Sequence, residues 1–327
     1  MPDSAPLQPS QPPPFTAASR PLLLSVDLEE WFHGRWATGY AKSQWGDTAT
    51  LFREVYGSDR PRGDVIPAVH WLLDFFARHQ VRATFFILGE IAQWYPDLIR
   101  AVAAGGHEIA CHGLHHVDMG AYTPQQFAAD LARARSLLED LGGKPVRGFR
   151  SPNLVVAPWL AGVLGELGFA YDSSVCPSLP FRGKYADMGA SPQHPYRTAD
   201  RVQTPGAGPL WELPITSMPG LRLTAGSAIA TRVFGQWWSR FALAWWGRSG
   251  SVQYYLHPYE IWTDTLPGNL KPWARLMTRR RGPYLQRALD RLVTAWKPRG
   301  ILTCGACVDR LIFLEQKEAK VAKAGLS

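Results

Sequence analysis

The sequence predicts an α/β fold, a single domain built as a distorted barrel of about seven or eight strand–helix units. Three observations carry that expectation. Short apolar runs alternate with helical stretches from residue 21 onward. No linker and no internal repeat interrupts the alternation. The side chains suited to chemistry recur just after the apolar runs, and barrels of this kind gather their reactive groups at the carboxyl ends of their strands.

The chain of 327 residues is 46% hydrophobic, enough for one large core. Residues 1–20, rich in Pro, Ser and Ala, read as a disordered tail. The barrel is expected over 21–314, followed by a C-terminal tail over 315–327. PLLLSVD at 21–27 reads as a buried strand, 64–79 as an amphipathic helix, 82–88 as the next strand, and 90–104 as a helix closed by Gly105-Gly106. HEIAC at 107–111 is a strand. Thr123-Pro124 with Gln126 forms a capping box that opens a helix ending at Gly142-Gly143. Further strands are expected at 147–150, 169–172, 210–213, 252–256 and 301–303, with helices at 157–167, 231–246, 284–296 and 306–316.

A net charge of +8 suits phosphates, anionic lipid or acidic glycans as partners. No nucleic-acid-binding motif accompanies it, so nucleic acid is not an expected partner. The four cysteines (Cys111, Cys176, Cys304, Cys307) are too few and scattered for a disulfide scaffold. Cys304 and Cys307 form a CxxC without a second pair, which reads as structural. MPDSAPLQPSQPPPF lacks the basic start and apolar run of a secretory signal, and no run of ~18 apolar residues spans a bilayer. The expected location is cytoplasmic, or peripheral at the inner face of a membrane.

Eight polar or ionisable residues fall on one predicted rim: Asp27 with Glu29 and Glu30 at the end of the first strand, His112 and His116 after HEIAC, Arg150 ending RGFR, Asp172 ending FAYD and His257 after SVQYYL. HGLHH at 112–116 is the strongest local signal, since imidazoles four residues apart can face one metal. His112 and His116 are the expected ligands, with His115 in reserve. A carboxylate from the first strand end completes a set of two histidines and one carboxylate, which leaves positions open for water and substrate.

SVDLEE, ATFFILGEIAQWYPDLIR, HEIACHGLHH, GFRSPN, YDSSV, WELP and YLHPYE occur in this order over roughly 21–262. The series resembles the NodB-type polysaccharide deacetylases, family four of the carbohydrate esterases, and looks closest to the exopolysaccharide-associated branch. The resemblance implies a distorted barrel and hydrolytic N-deacetylation with one divalent metal, zinc foremost, with Co, Fe, Ni or Mn as alternatives. It implies Asp27 as catalytic base, Arg150 as the arginine holding that base, His257 as acid, and His112 and His116 as metal histidines. Many members carry two adjacent aspartates in the first motif, where Leu28 stands here. Glu29 matches the second acid of an Asp-x-Asp variant and is assigned as ligand, with Glu30 and Asp27 as the alternatives. The implied substrate is an acetylated hexosamine glycan or its lipid-linked precursor. The rival readings are a small-substrate amidohydrolase and a non-catalytic glycan-binding scaffold.

Trp31, Asp172 and Trp211 are candidates for substrate contact. The long connection 31–62 carries Trp31, Phe32, Trp36, Tyr40 and Trp45, which suit either sugar stacking or a small accessory core. FGQWWSRFALAWWGR at 234–248 suits either a buried helix or one lying in a membrane interface. The arginines at 275, 279, 280, 281, 287 and 291 suit a solvated basic face, anionic lipid or a lipid-linked diphosphate.

Overall fold

Leu22–Leu28 (β1) is buried at every position, as a central parallel strand covered on both faces must be. In the computed structural model, which describes residues 20–178, 188–262 and 266–324, β1 is the hub of a curved, almost wholly parallel sheet. Apart from Arg20, the expected 1–20 tail lies outside the described residues. β1 pairs Thr84–Ile87 (β2) with Ser25 opposite Thr84. Glu108–Cys111 (β3), Gly148–Phe149 (β4) and Tyr171–Asp172 (β5) follow in sequence order. Tyr196–Arg197 (β6), which the sequence did not suggest, pairs antiparallel with Trp211–Glu212 (β7). On its other edge β1 pairs Val252–Leu256 (β8), and its first two residues also pair Ile301–Leu302 (β9).

The circuit is carried from β7 to β8 by irregular chain rather than by a ladder. The Ile215 N–H donates to Val175 O, the Gly226 N–H to Thr216 O, and the Tyr255 N–H to Gly226 O. The result is the distorted barrel the alternation implied.

Two expected helices are each divided. The stretch 90–104 becomes Gly89–Trp94 and Pro96–Ala104, because a residue before proline is pushed out of the helical region and Tyr95 takes φ −132°, ψ 61°. The stretch 231–246 becomes Ala228–Phe234 and Gln236–Trp246, broken at Gly235 with φ +93°, ψ 159°. The capping box at Thr123 and Gln126 forms as expected, and that helix runs Pro124–Gly142. The last helix, Cys304–Ala324, continues through the point where a tail was expected at 315.

The long connection 31–62 resolves in favour of an accessory core. Trp31, Phe32, Trp36, Trp45, Phe52 and Tyr56 bury against Tyr259, Leu270 and Ala274, beside the barrel's own core. Trp31 is fully enclosed and its Nε1 donates to Asp64 Oδ2 at 2.8 Å, so it has no face to offer a sugar. The expectation of substrate contact for Trp31 is corrected accordingly. Cys304 and Cys307 are buried and free, packed with Leu302 and Val308.

Candidate metal centre and active site

Alternation along an extended chain sends residues two apart to the same side. Asp27 and Glu29 accordingly face one space, while Leu28 enters the core and Glu30 turns away. Glu29 Oε1 lies 2.9 Å from His112 Nε2 and 3.0 Å from His116 Nε2, all three side chains being buried. Burial alone would raise the Glu29 carboxyl. The charges of His116 and His257 and hydrogen bonds from His112 and His116 outweigh it and hold Glu29 well below the usual carboxylate range.

The donor set fits a divalent cation. One oxygen and two imidazole nitrogens lie within 4.8 Å of one another. The far nitrogen of His112, Nδ1, meets the Arg150 carbonyl at 2.7 Å, which fixes the ring and turns Nε2 to the cluster. The alternatives left open by the sequence fare differently. Glu30 Oε1 accepts from Tyr95 Oη at 2.9 Å, and burial pushes its carboxyl up to about 8. Asp27 Oδ1 is taken by Arg150 Nη1 at 2.5 Å. His115 is half-exposed and pairs with Glu90 at 3.1 Å, outside the cluster.

The HGLHH loop reaches this position because the backbone makes an uncommon turn. Gly113 has φ +100°, a region that disfavours side chains. At the facing turn a Cβ on Gly89 would meet Leu114 Cδ1 at 2.7 Å, while the Gly89 N–H donates to Gly113 O.

Arg150 is wholly buried and makes four hydrogen bonds through its guanidinium. Nε donates to Ser173 O, Nη1 to Ser25 Oγ and Asp27 Oδ1, and Nη2 to Ser173 Oγ. Its guanidinium also lies 4.0 Å from the centre of the Phe86 ring. Asp27 is thus anchored on one oxygen only by an arginine that itself has no freedom to leave.

On the opposite side, His257 Nε2 lies 3.9 Å from Glu29 Oε1, and Asp27, Glu29 and His257 form a second close group. His257 Nδ1 contacts Glu260 Oε2 at 2.9 Å, and Arg232 holds Glu260 Oε1 at 2.7 Å. Burial would lower the imidazole's affinity for a proton, but Glu29, Glu260 and Asp27 reverse this and raise it to about 9. Removing Arg232 takes the arginine from a fully buried Glu260 and leaves His257 as its ionic partner. Arg232→Met should therefore cost about 3–5 kcal/mol of stability, read by urea unfolding, and the double variant Arg232→Met/Glu260→Gln should recover part of that loss.

Sequence reasoning missed four residues around the cluster: Glu260, Arg232, Glu90 and His33. Glu90 accepts the His116 N–H at 3.1 Å, and His33 stacks on His116 with ring centres 5.4 Å apart. Two of these had signals. Glu90 follows β2 directly, the same rim rule that found the others, and HPYE places Glu260 three residues after a histidine N-cap, in capping-box spacing.

Asp172 and Trp211 do not contact the site as expected. Asp172 lies fully buried beside Glu212, its register partner in the β5–β7 pair, and burial raises both carboxyls. Trp211 packs among Leu23, Leu302 and Val308, with the Arg197 guanidinium 4.8 Å from its ring centre. Both expectations of substrate contact are corrected, because burial against core and carboxylate partners leaves neither an open face.

Comparison with known proteins bears on the fold and on part of the sequence. The family model for polysaccharide deacetylase matches residues 64–171, which include His112, His116 and Arg150. The peptidoglycan-N-acetylglucosamine deacetylase of Bacillus cereus is 26% identical over 126 residues, 38% of this chain and 45% of that protein. The chain spans about half the length of the curated relatives it matches first. Among solved structures, a Mycobacterium smegmatis protein assigned as a polysaccharide deacetylase superposes with TM-score 0.57 at 20% identity, covering 96% of each chain. The Puue allantoinase superposes with TM-score 0.56 at 18% identity, covering 94% of this chain and 97% of its own. Those two likenesses concern the fold. In sequence, residues 64–171 match the polysaccharide deacetylase model, and the relatives that the chain resembles in part are named as deacetylases.

Proposed function

We propose that this protein is a metal-dependent hydrolase that removes N-acetyl groups from hexosamine residues of a bacterial exopolysaccharide or of its lipid-linked precursor. The observation that carries the reading is the convergence of Glu29, His112 and His116 between two braced groups, Asp27 on Arg150 and His257 on Glu260. The name of the Bacillus cereus relative supports an acetylated amino sugar as the substrate class.

In this reading Glu29, His112 and His116 hold one divalent cation, zinc being expected. Once bound, such an ion polarises the amide carbonyl and acidifies water. Asp27 takes the proton of the attacking water, and Arg150 holds and aims its carboxylate. His257 gives a proton to the departing nitrogen from Nε2, the nitrogen left facing the site when Nδ1 is held by Glu260. An amine leaves only when protonated, so the acid is as necessary as the base.

The test is metal analysis of the purified protein together with acetate release from N-acetylated chitooligosaccharides. Allantoin belongs in the same panel, since an allantoinase shares the fold. Acetate release with about one metal per chain is expected. A metal-loaded protein that releases no acetate from any amino sugar, or that opens allantoin instead, would end the proposal. Within the same experiment, His112→Ala and His116→Ala should each lose the metal, because two remaining ligands hold it poorly. His115→Ala should keep it; a reversed pattern would transfer the ligand role to His115.

A further inference from the structure

The helix Gln236–Trp246 buries one side and exposes the other. Trp238, Ser239, Ala242 and Leu243 face the barrel. Trp237, Phe241 and Trp245, spaced by four residues, are 63%, 50% and 45% exposed. The preceding helix Ala228–Phe234 extends the same apolar surface with exposed Val233 and Phe234. A run of exposed large apolar side chains of this kind marks an interaction surface in a water-soluble domain.

The charge around this face is mostly basic, exposed Asp290 next to Arg291 being the acid that borders it in sequence. Residues 228–259 contain exposed Arg240 and Arg248 and no acidic residue, Arg232 being buried against Glu260. Residues 266–289 contain Lys271 and the arginines at 275, 279, 280, 281 and 287, again without an acid. The two stretches are joined in space, since Arg232 Nη1 donates to Met277 O and Arg279 O, and the Gln236 N–H donates to Tyr284 Oη. The second stretch adds exposed Trp273 and Leu276. Arg248 also lies 5.3 Å from the centre of the Trp245 ring, at the border of the apolar stripe.

We infer that this face docks on the surface of an anionic lipid bilayer, with Trp237, Phe241 and Trp245 entering the headgroup boundary and the arginines meeting lipid phosphates. Charge complementarity selects this occupant: aromatic side chains ringed by arginine match an interface that is apolar beneath and negative above. Nothing among the described helices is long and apolar enough to cross a membrane, so the contact is one of lying on the surface. The docking face adjoins the acid side of the site, because Arg232 of the Ala228–Phe234 helix holds Glu260 behind His257.

Co-sedimentation of the full chain with large vesicles tests this directly and needs no activity. Vesicles of phosphatidylcholine mixed equally with phosphatidylglycerol should bind the protein, and pure phosphatidylcholine should bind it at least tenfold less. Trp237→Ser/Phe241→Ser/Trp245→Ser should lose about tenfold or more of the binding, with far-UV circular dichroism and melting temperature kept. Arg240→Gln and Arg279→Gln should each weaken it about fivefold, the worth of one basic residue near an anionic surface. Failure of the native chain to pellet with the mixed vesicles at low salt would overturn the inference, as would a folded triple variant that pellets equally well. A native dimer that the triple variant converts to monomer, with no vesicle binding by either, would also overturn it and assign the face to a second copy of the chain.

Discussion

Replacing His257 with alanine is expected to slow acetate release from an N-acetylated sugar by about 10²–10⁴-fold, the usual worth of a positioned general acid. Hydrolysis of a nitrophenyl acetate should fall far less. A nitrophenolate departs without a proton, and Asp27 and the metal ligands are untouched by the change. The structure gives His257 the two attributes an acid needs. Its Nε2 faces the cluster from 3.9 Å, and the surrounding carboxylates of Glu29, Glu260 and Asp27 favour the protonated ring. A substrate-binding or purely structural role would instead depress both rates alike, or lower the melting temperature. Equal losses on one folded, metal-loaded preparation would therefore remove His257 from the acid role.

The sequence made the rim legible because one physical rule governs it. A parallel strand runs apolar along its length and changes character where it ends, so Asp27, His112, Arg150 and His257 declare themselves by position. The two-residue alternation favours Glu29 as the partner of Asp27 on one side of the chain, while Glu30 and Asp27 stay open as ligands until the contacts of Glu30 with Tyr95 and of Asp27 with Arg150 are known. What stayed illegible depended on contacts between distant segments. Trp31 reads as an exposed loop aromatic until Asp64 and Tyr259 are seen to enclose it. Trp211 follows the rim pattern of β7, yet its ring is claimed by Arg197 and the last helix. The aromatic run 234–248 gave too little periodicity to choose between burial and exposure. Gly235 breaks the helix there, and the second piece is then half buried and half exposed. Strands of two residues such as β6 carry no pattern to detect.

The two carboxylates after β1 should separate cleanly by function. Asp27→Asn is expected to retain most of the metal and to lose about 10²–10⁴-fold in turnover, since an amide keeps the shape of the base but cannot accept the water's proton. Glu29→Gln is expected to weaken metal affinity first, because it removes the only carboxylate that contacts both His112 and His116 among the described residues. The distinction rests on partners rather than on residue type. Asp27 already receives the Arg150 guanidinium at 2.5 Å, whereas Glu29 faces two imidazole nitrogens and no arginine. Asp27→Asn also leaves Arg150 buried beside a neutral amide, so its stability must be measured alongside its rate; the Ser25 and Ser173 contacts should keep the guanidinium in place. Titrating zinc into each purified variant while following acetate release resolves the two roles. Activity of Glu29→Gln should climb with added metal toward a plateau, and activity of Asp27→Asn should stay low at every concentration. Full rescue of Asp27→Asn by excess metal would show that Asp27 binds the ion and would pass the role of base to another group.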